Sequence, residues 1–196
     1  MKLLSSVFAL AVLLAAPASF ATTWDLDPAH TNIGFVVRHL VVSKVRGNFK
    51  SFKGTVHIDD KDISKSKVEL EIDAASIDTG VDKRDEHLRS PDFFDVKKHP
   101  KITFKSKSVK QTKKGELLVV GDLTMHGVTK AVLLKVEGPS PEVKDPWGNA
   151  HIAFAAEGEL NRYDYGLKWN KAIEGGGLTV SEEVQLVIET ELMNKR

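Results

Sequence analysis

Apolar and polar residues alternate along most of this chain. Over 67–74, Val68, Leu70 and Ile72 face one way, while Glu69, Glu71 and Asp73 face the other. That period of two marks a strand with one buried and one solvated face, as antiparallel sheets allow. Asn32–His39 sets Ile33, Phe35 and Val37 on one side, with His39 in phase. Further runs fall at 46–58, 101–109, 116–124, 129–137 and 150–160, and Val184, Leu186, Ile188 and Leu192 repeat the pattern near the C-terminus. Turn signals such as Lys113-Lys114-Gly115, His126-Gly127 and Asp145-Pro146-Trp147-Gly148 separate them. With 22–26 as a short first strand, the pattern predicts about eight or nine strands in an all-β chain, either a sandwich or a barrel. Gly34, Gly47, Gly54, Gly121 and Gly158 lie inside strand runs. Such glycines mark bulges, corners or close approaches, and five together favour the strong curvature of a barrel.

One segment breaks the alternation. Thr79-Gly80-Val81-Asp82 reads as a capping box ahead of a short helix near 81–90, stopped by Pro91. Asp85 and Arg89 stand at i and i+4 in the favourable order, and Val81 and Leu88 are predicted on the inner side. Phe93 and Phe94 follow at once. Adjacent aromatics in a connection need burial, which places them as a cap on the barrel interior or as a lining of its mouth.

The first 21 residues, MKLLSSVFALAVLLAAPASFA, hold 16 apolar residues and one charge, Lys2. A positive start, a short apolar stretch and small residues at Ser19 and Ala21 predict a secretory signal peptide cut before Thr22. A cut after Ala18 is the alternative. The remaining 22–196 then form a single domain, and no later stretch is long and apolar enough to span a bilayer as a helix. The chain carries 28 Lys+Arg and 27 Asp+Glu, so losing Lys2 leaves the charges balanced. A neutral chain without basic runs is predicted to bind neither nucleic acid nor a membrane through a polybasic anchor. There is no cysteine, which excludes thiol chemistry and disulfide staples.

Candidate chemistry is sparse. The seven histidines are scattered over separate strands and turns, and no HExxH spacing brings ligands together, so no metal site is nominated. His39 reads as a hydrogen-bonded inward histidine near a strand end, and His30 as a turn stabiliser. No GxSxG elbow, GxGxxG loop or Walker-type loop occurs. The acids fall mostly on solvent-facing positions. No catalytic residue and no cofactor is predicted.

Several segments taken together resemble a known family. They are Trp24-Asp-Leu-Asp-Pro-Ala-His30, Gly47-x-Phe49, Ser76-Ile-Asp-Thr-Gly80, Arg84-Asp85-x-His87-Leu88-Arg89-Ser90 and Asp92-Phe-Phe-Asp-Val96. Thr103-Phe104-x-Ser106, Gly121-Asp-Leu-Thr124, Gly127-Val-Thr-Lys130 and Arg162-x-Asp164-x-Gly166-Leu167 follow in order. In this number and spacing they resemble the YceI-like family of bacterial polyisoprenoid-binding proteins. The resemblance implies an eight-stranded antiparallel, lipocalin-like barrel with one short helix and a long lumen. It also implies periplasmic residence and the binding of a long-chain amphiphilic lipid, a polyprenyl lipid or isoprenoid quinone, without catalysis or stable membrane insertion. Phase and resemblance together nominate the lining as Ile33, Phe35, Val37, His39, Phe49, Ile72, Leu88, Phe93, Phe94, Ile102, Phe104, Phe154 and Trp169. A self-filled barrel remains the alternative, and pairing into a homodimer is left open.

Overall fold

A computed structural model describes residues 21–172 and 176–194. The predicted signal peptide, Ala21 apart, lies outside the described residues. The elements are β1 (Ala21–Leu26), β2 (Asn32–His39), β3 (Ser43–Phe49), β4 (Phe52–Asp59), β5 (Lys67–Asp73), β6 (Ile77–Asp78), α1 (Asp82–Arg89), β7 (Lys101–Lys113), β8 (Glu116–Met125), β9 (Val128–Glu137), β10 (Val143–Lys144), β11 (Ala150–Asn161) and β12 (Val180–Asn194). Three short 3-10 turns punctuate the connections.

β1 and β2 both pair antiparallel with β12, one beyond the other, and so form a single interrupted strand. β4 and β3 pair with β1 and β2 and form a second; β5 and β6 form a third. With β7, β8, β9, β11 and β12 they make eight antiparallel strands, and the β11–β12 ladder closes them into a barrel. The predicted single run over 46–58 is therefore two strands. At its break the Lys50 N–H donates to the Ser76 carbonyl (3.1 Å) and the Ser51 N–H to the Ser76 hydroxyl (3.0 Å). These bonds interrupt the run from β3 into β4 and stitch the break to its neighbour between β5 and β6.

The helix is one residue shorter at each end than expected, and its cap differs. Val81 occupies the capping position without a side-chain bond, so Thr79 and Asp82 make no capping box. Instead Asp85, buried on the first turn, accepts from the Thr79 N–H (3.0 Å) and hydroxyl. Arg89 does not pair with Asp85; its guanidinium donates to the carbonyls of Ala75 and Ile77. Val81, predicted inside, is exposed. These tethers hold α1 beside β6, the end strand of its sheet order.

Two strand glycines show how the wall curves. A Cβ on Gly47 would lie 2.4 Å from the Phe35 ring, and one on Gly121 would lie 2.3 Å from the Phe104 ring. Each glycine gives an aromatic ring room to lie against the opposite backbone. The lower end is closed by a separate apolar cluster of Trp24, Ile58, Ala150, Ile152 and Leu192.

Candidate functional site: a two-chambered lumen

Inward-facing residues enclose two adjoining cavities. The lower has about 1370 Å³ of space free of protein atoms, mouth included, and its lining is hydrocarbon apart from Gly34, Ser66 and Thr190. Ile33, Ile72, Ile102, Phe104 and Phe154 lie in this wall. The upper, with about 1150 Å³, is lined by Val37, His39, Leu88, Phe93, Phe94 and Trp169. Phe35 and Phe49 line both, with ring centroids 6.0 Å apart, and form a waist. All thirteen nominated residues thus face one continuous lumen.

The upper chamber differs in chemistry. Phe94 meets Phe49 edge-on at 5.9 Å, and Trp169 packs on both Phe93 (5.2 Å) and His87 (4.8 Å). Among these rings stand two guanidiniums that the sequence reading did not nominate. Arg84 donates to the Thr79 hydroxyl (2.6 Å) and carbonyl (2.9 Å). Arg162 is only 4% exposed and gives its hydrogen bonds to the backbone carbonyls of Ser181, Leu167, Trp169 and Val180. Its guanidinium carbon also lies 4.7 Å from the Tyr163 ring centroid and 5.9 Å from that of Phe93. Burial pulls the Arg162 pKa below the ordinary arginine value. Among the described residues neither guanidinium has a carboxylate within ion-pair distance; both donate to neutral acceptors, with the Glu182 charge near enough to Arg162 to favour its protonated form. An acceptor-rich or anionic group is the natural complement.

Arg162 had a readable signal. Ile152, Phe154, Ala156, Gly158 and Leu160 alternate inward along β11, and Arg162 continues that phase. Arg84 sits four residues before Leu88, one helical turn away on the same face. Met125, Leu160, Leu167 and the inward side chains of β8 and β9 also line the lumen.

A second cluster lies on the outer wall, where Asp27, His151 and Glu191 bring ligand atoms within 4.8 Å of one another. His151 bonds Glu191 through Nδ1 (2.7 Å) and Asp145 through Nε2 (3.2 Å). Asp27 accepts from its own turn, at the Ala29 N–H (2.9 Å), and bonds His30 Nδ1 (2.8 Å), the role predicted for that histidine. His151 is satisfied by Glu191 and Asp145, and Asp27 by its own turn, so the ion pairs form a clasp between the loop before β11, β11 itself and β12. The hydrogen bond to Asp145 raises the His151 pKa; partial burial opposes it and Glu191 adds to it. Burial pushes Asp145 up, but bonds from Asn149, His151 and the Trp147 N–H outweigh it and hold Asp145 at about 2.

Comparison with known proteins agrees with this architecture. A family model described as "YceI-like domain" matches residues 24–192. A UPF0312 protein of Photorhabdus laumondii subsp. laumondii is 41% identical over 170 residues, 85% of this chain and 87% of its own length. The crystal structure of the Campylobacter jejuni YCEI protein superposes with a TM-score of 0.69 at 33% identity, covering 87% of this chain and 97% of that one. A polyisoprenoid binding domain from Saccharophagus degradans shares the fold at 18% identity, with a TM-score of 0.60 over 88% of this chain and 98% of that one. The chain belongs to the YceI-like family.

Proposed function

We propose that this protein binds one long-chain isoprenoid lipid in its lumen and sequesters or carries it without making or breaking a bond. The observation that carries the reading is the polarity gradient of the lumen, from a hydrocarbon lower chamber to an upper chamber holding Arg84 and Arg162. A prenyl tail would fill the lower chamber, and a head bearing acceptor oxygens, as in a prenyl phosphate or a quinone, would sit among the guanidiniums. Burying hydrocarbon contributes ~0.8 kcal/mol per CH₂, so two or three isoprene units supply roughly 6–10 kcal/mol before ordering costs. The polyisoprenoid-binding description of the Saccharophagus relative supports the ligand class. The leader-like 1–21 supports export to the periplasm, with a mature chain starting at Thr22.

The test is solvent extraction of protein purified from its own periplasmic fraction, followed by mass spectrometry of extract and intact protein. A near-stoichiometric prenyl lipid or quinone is expected, on a chain lacking residues 1–21. Phe35→Ala and Phe104→Ala should lower lipid occupancy, whereas Glu71→Ala, whose carboxylate pairs outside with Lys53 and Lys101, should not. An empty extract, with melting unmoved by added prenyl lipids, would overturn the carrier reading in favour of a self-filled barrel.

A further inference from the structure

The lumen needs a route by which a water-insoluble ligand enters, and the rim of the upper chamber shows one. His39, the last residue of β2, and Thr179 both line that chamber, and the Leu40 N–H donates to the Thr179 carbonyl (2.9 Å). The hairpin between β2 and β3 therefore projects from the rim. Its tip is Leu40, Val41 and Val42, which are 39%, 63% and 86% exposed. Leu40 and Val41 also adopt left-handed backbone, with φ of 51° and 61°. A β-branched residue there is an outlier, and glycine or asparagine would make the same turn without strain. Three consecutive aliphatics are thus held in water, two of them on an unfavourable backbone.

The base of the same hairpin is cationic. Arg38 stands directly opposite Lys44, and Arg46 is opposite Val36, all three exposed on the outer face. Like charges facing across an antiparallel pair repel. Among the described residues none of the three makes an ion pair. On the adjoining bulge of β12, Glu182 accepts a hydrogen bond from Asn161, and Glu183 pairs with none of them. An apolar knob with unneutralised cations behind it is complementary to an anionic leaflet, which takes the aliphatics into its hydrocarbon edge and the cations at its phosphates.

We propose that this hairpin docks the mouth of the barrel onto an anionic membrane surface, the step that loads or unloads the lumen. The proposal rests on the lumen being a lipid site. The orientation is testable, because the other end of β12, roughly 45 Å away at strand spacing, carries its own exposed aromatic, Trp147, in the loop before β11.

The test is co-sedimentation of the mature protein with vesicles of phosphatidylglycerol and phosphatidylethanolamine, against vesicles of phosphatidylcholine alone. Binding to the anionic vesicles only, weakening with salt, is expected. Each cation near such a surface is worth about five-fold in binding, so Arg38→Gln with Lys44→Gln should weaken it roughly 25-fold. Val41→Asn separates docking from folding, since it relieves the backbone while removing an aliphatic. It should melt no lower than the parent yet bind vesicles about ten-fold more weakly. Absence of binding to anionic vesicles, binding indifferent to these substitutions, or loss on Trp147→Ser instead would overturn the proposal. Occupancy of the lumen by a fluorescent prenyl probe without vesicles is the separate readout. If Val41→Asn keeps it, the lipid site stands whatever the vesicles show, and if the parent lacks it, the lipid reading itself has failed.

Discussion

Arg162 offers the sharpest test of how the upper chamber is held together. Its guanidinium bonds Leu167 and Trp169 on one side and Val180 and Ser181 on the other, and so ties the connection after β11 to the start of β12. Replacing it with leucine keeps much of the apolar contact but strands the carbonyl oxygens of Leu167, Trp169 and Ser181, while that of Val180 keeps the Asn170 amide (2.7 Å). A buried group left without its partner costs about 1–3 kcal/mol. Leu167 is buried, while Trp169, Val180 and Ser181 are half-buried, so water can rescue part of the loss. With three carbonyls stranded, each near the low end of that range, the expected destabilisation is ~3–5 kcal/mol. Arg162→Lys keeps the charge and three donors but not the planar fork, and should fall between leucine and the parent at ~2 kcal/mol. Urea denaturation would read both as a lower midpoint at unchanged slope. At ~2–4 °C per kcal/mol for a domain of this size, the leucine variant should melt roughly 10 °C lower. A loss below about 1 kcal/mol on Arg162→Leu, or a lysine variant as stable as the parent, would refute the tie.

Two further outcomes follow from the geometry. Gly121→Ala places a methyl 2.3 Å from the Phe104 ring and 2.7 Å from the Lys105 carbonyl, and the expected overpacking cost is ~1–3 kcal/mol by thermal melting. Gly80→Ala has open space and should pay only the left-handed backbone penalty, about 1 kcal/mol. The outer clasp should make stability depend on pH from both sides. The folded His151 pKa is raised, so its contribution is full below the unfolded value of 6.5 and fades as pH rises through the higher folded value. Asp145 is lowered, so its contribution is full above 3.8 and fades as pH falls toward about 2. Urea midpoints across pH should show both limbs, and His151→Gln should shrink the alkaline one to the part that His30, raised by its bond to Asp27, supplies.

The alternation of apolar residues was sufficient to recover the longer strands and their inward faces, though not the breaks within them, because a barrel has one interior and every inward position meets it. That is why Phe35, Phe104 and Phe154 were legible from phase alone. The cations of the upper chamber were not, although Arg162 keeps the phase of β11 and Arg84 shares a face with Leu88. Periodicity weighs hydrophobicity, and a charge in phase registers as the end of a strand rather than as part of its lining. The capping box failed for a different reason. Thr79 and Asp82 have the right spacing, but the hydroxyl of Thr79 is taken by Asp85, a tertiary preference that no local motif contains.

The three strand breaks were hidden in the same alternation and explain the shape of the lumen. Inward positions are even in β1 (Leu26), odd in β2 (Ile33, Phe35) and in β3 (Val45, Phe49), then even in β4 (Val56, Ile58). They are even again in β5 (Val68, Leu70, Ile72), and the fully buried Ile77 of β6 is odd. Since a one-residue slip turns every side chain to the other face, each break must insert an odd number of residues to keep the apolar set inside. Inward residues flanking each break accordingly stand an odd number of positions apart, seven from Leu26 to Ile33, seven from Phe49 to Val56 and five from Ile72 to Ile77, in three neighbouring strands at adjoining points. Below this line the ladder is continuous around the barrel and the lining is hydrocarbon. Above it β6 ends after two residues, and α1 with Phe93 and Phe94 takes the place a longer strand would have filled. A strand can present only alternate residues to a lumen, whereas a helix and its connection can bring Arg84, His87 and Leu88 to one spot. The aligned breaks are thus what lets a single barrel hold an apolar chamber and a cationic one in series, joined at Phe35 and Phe49.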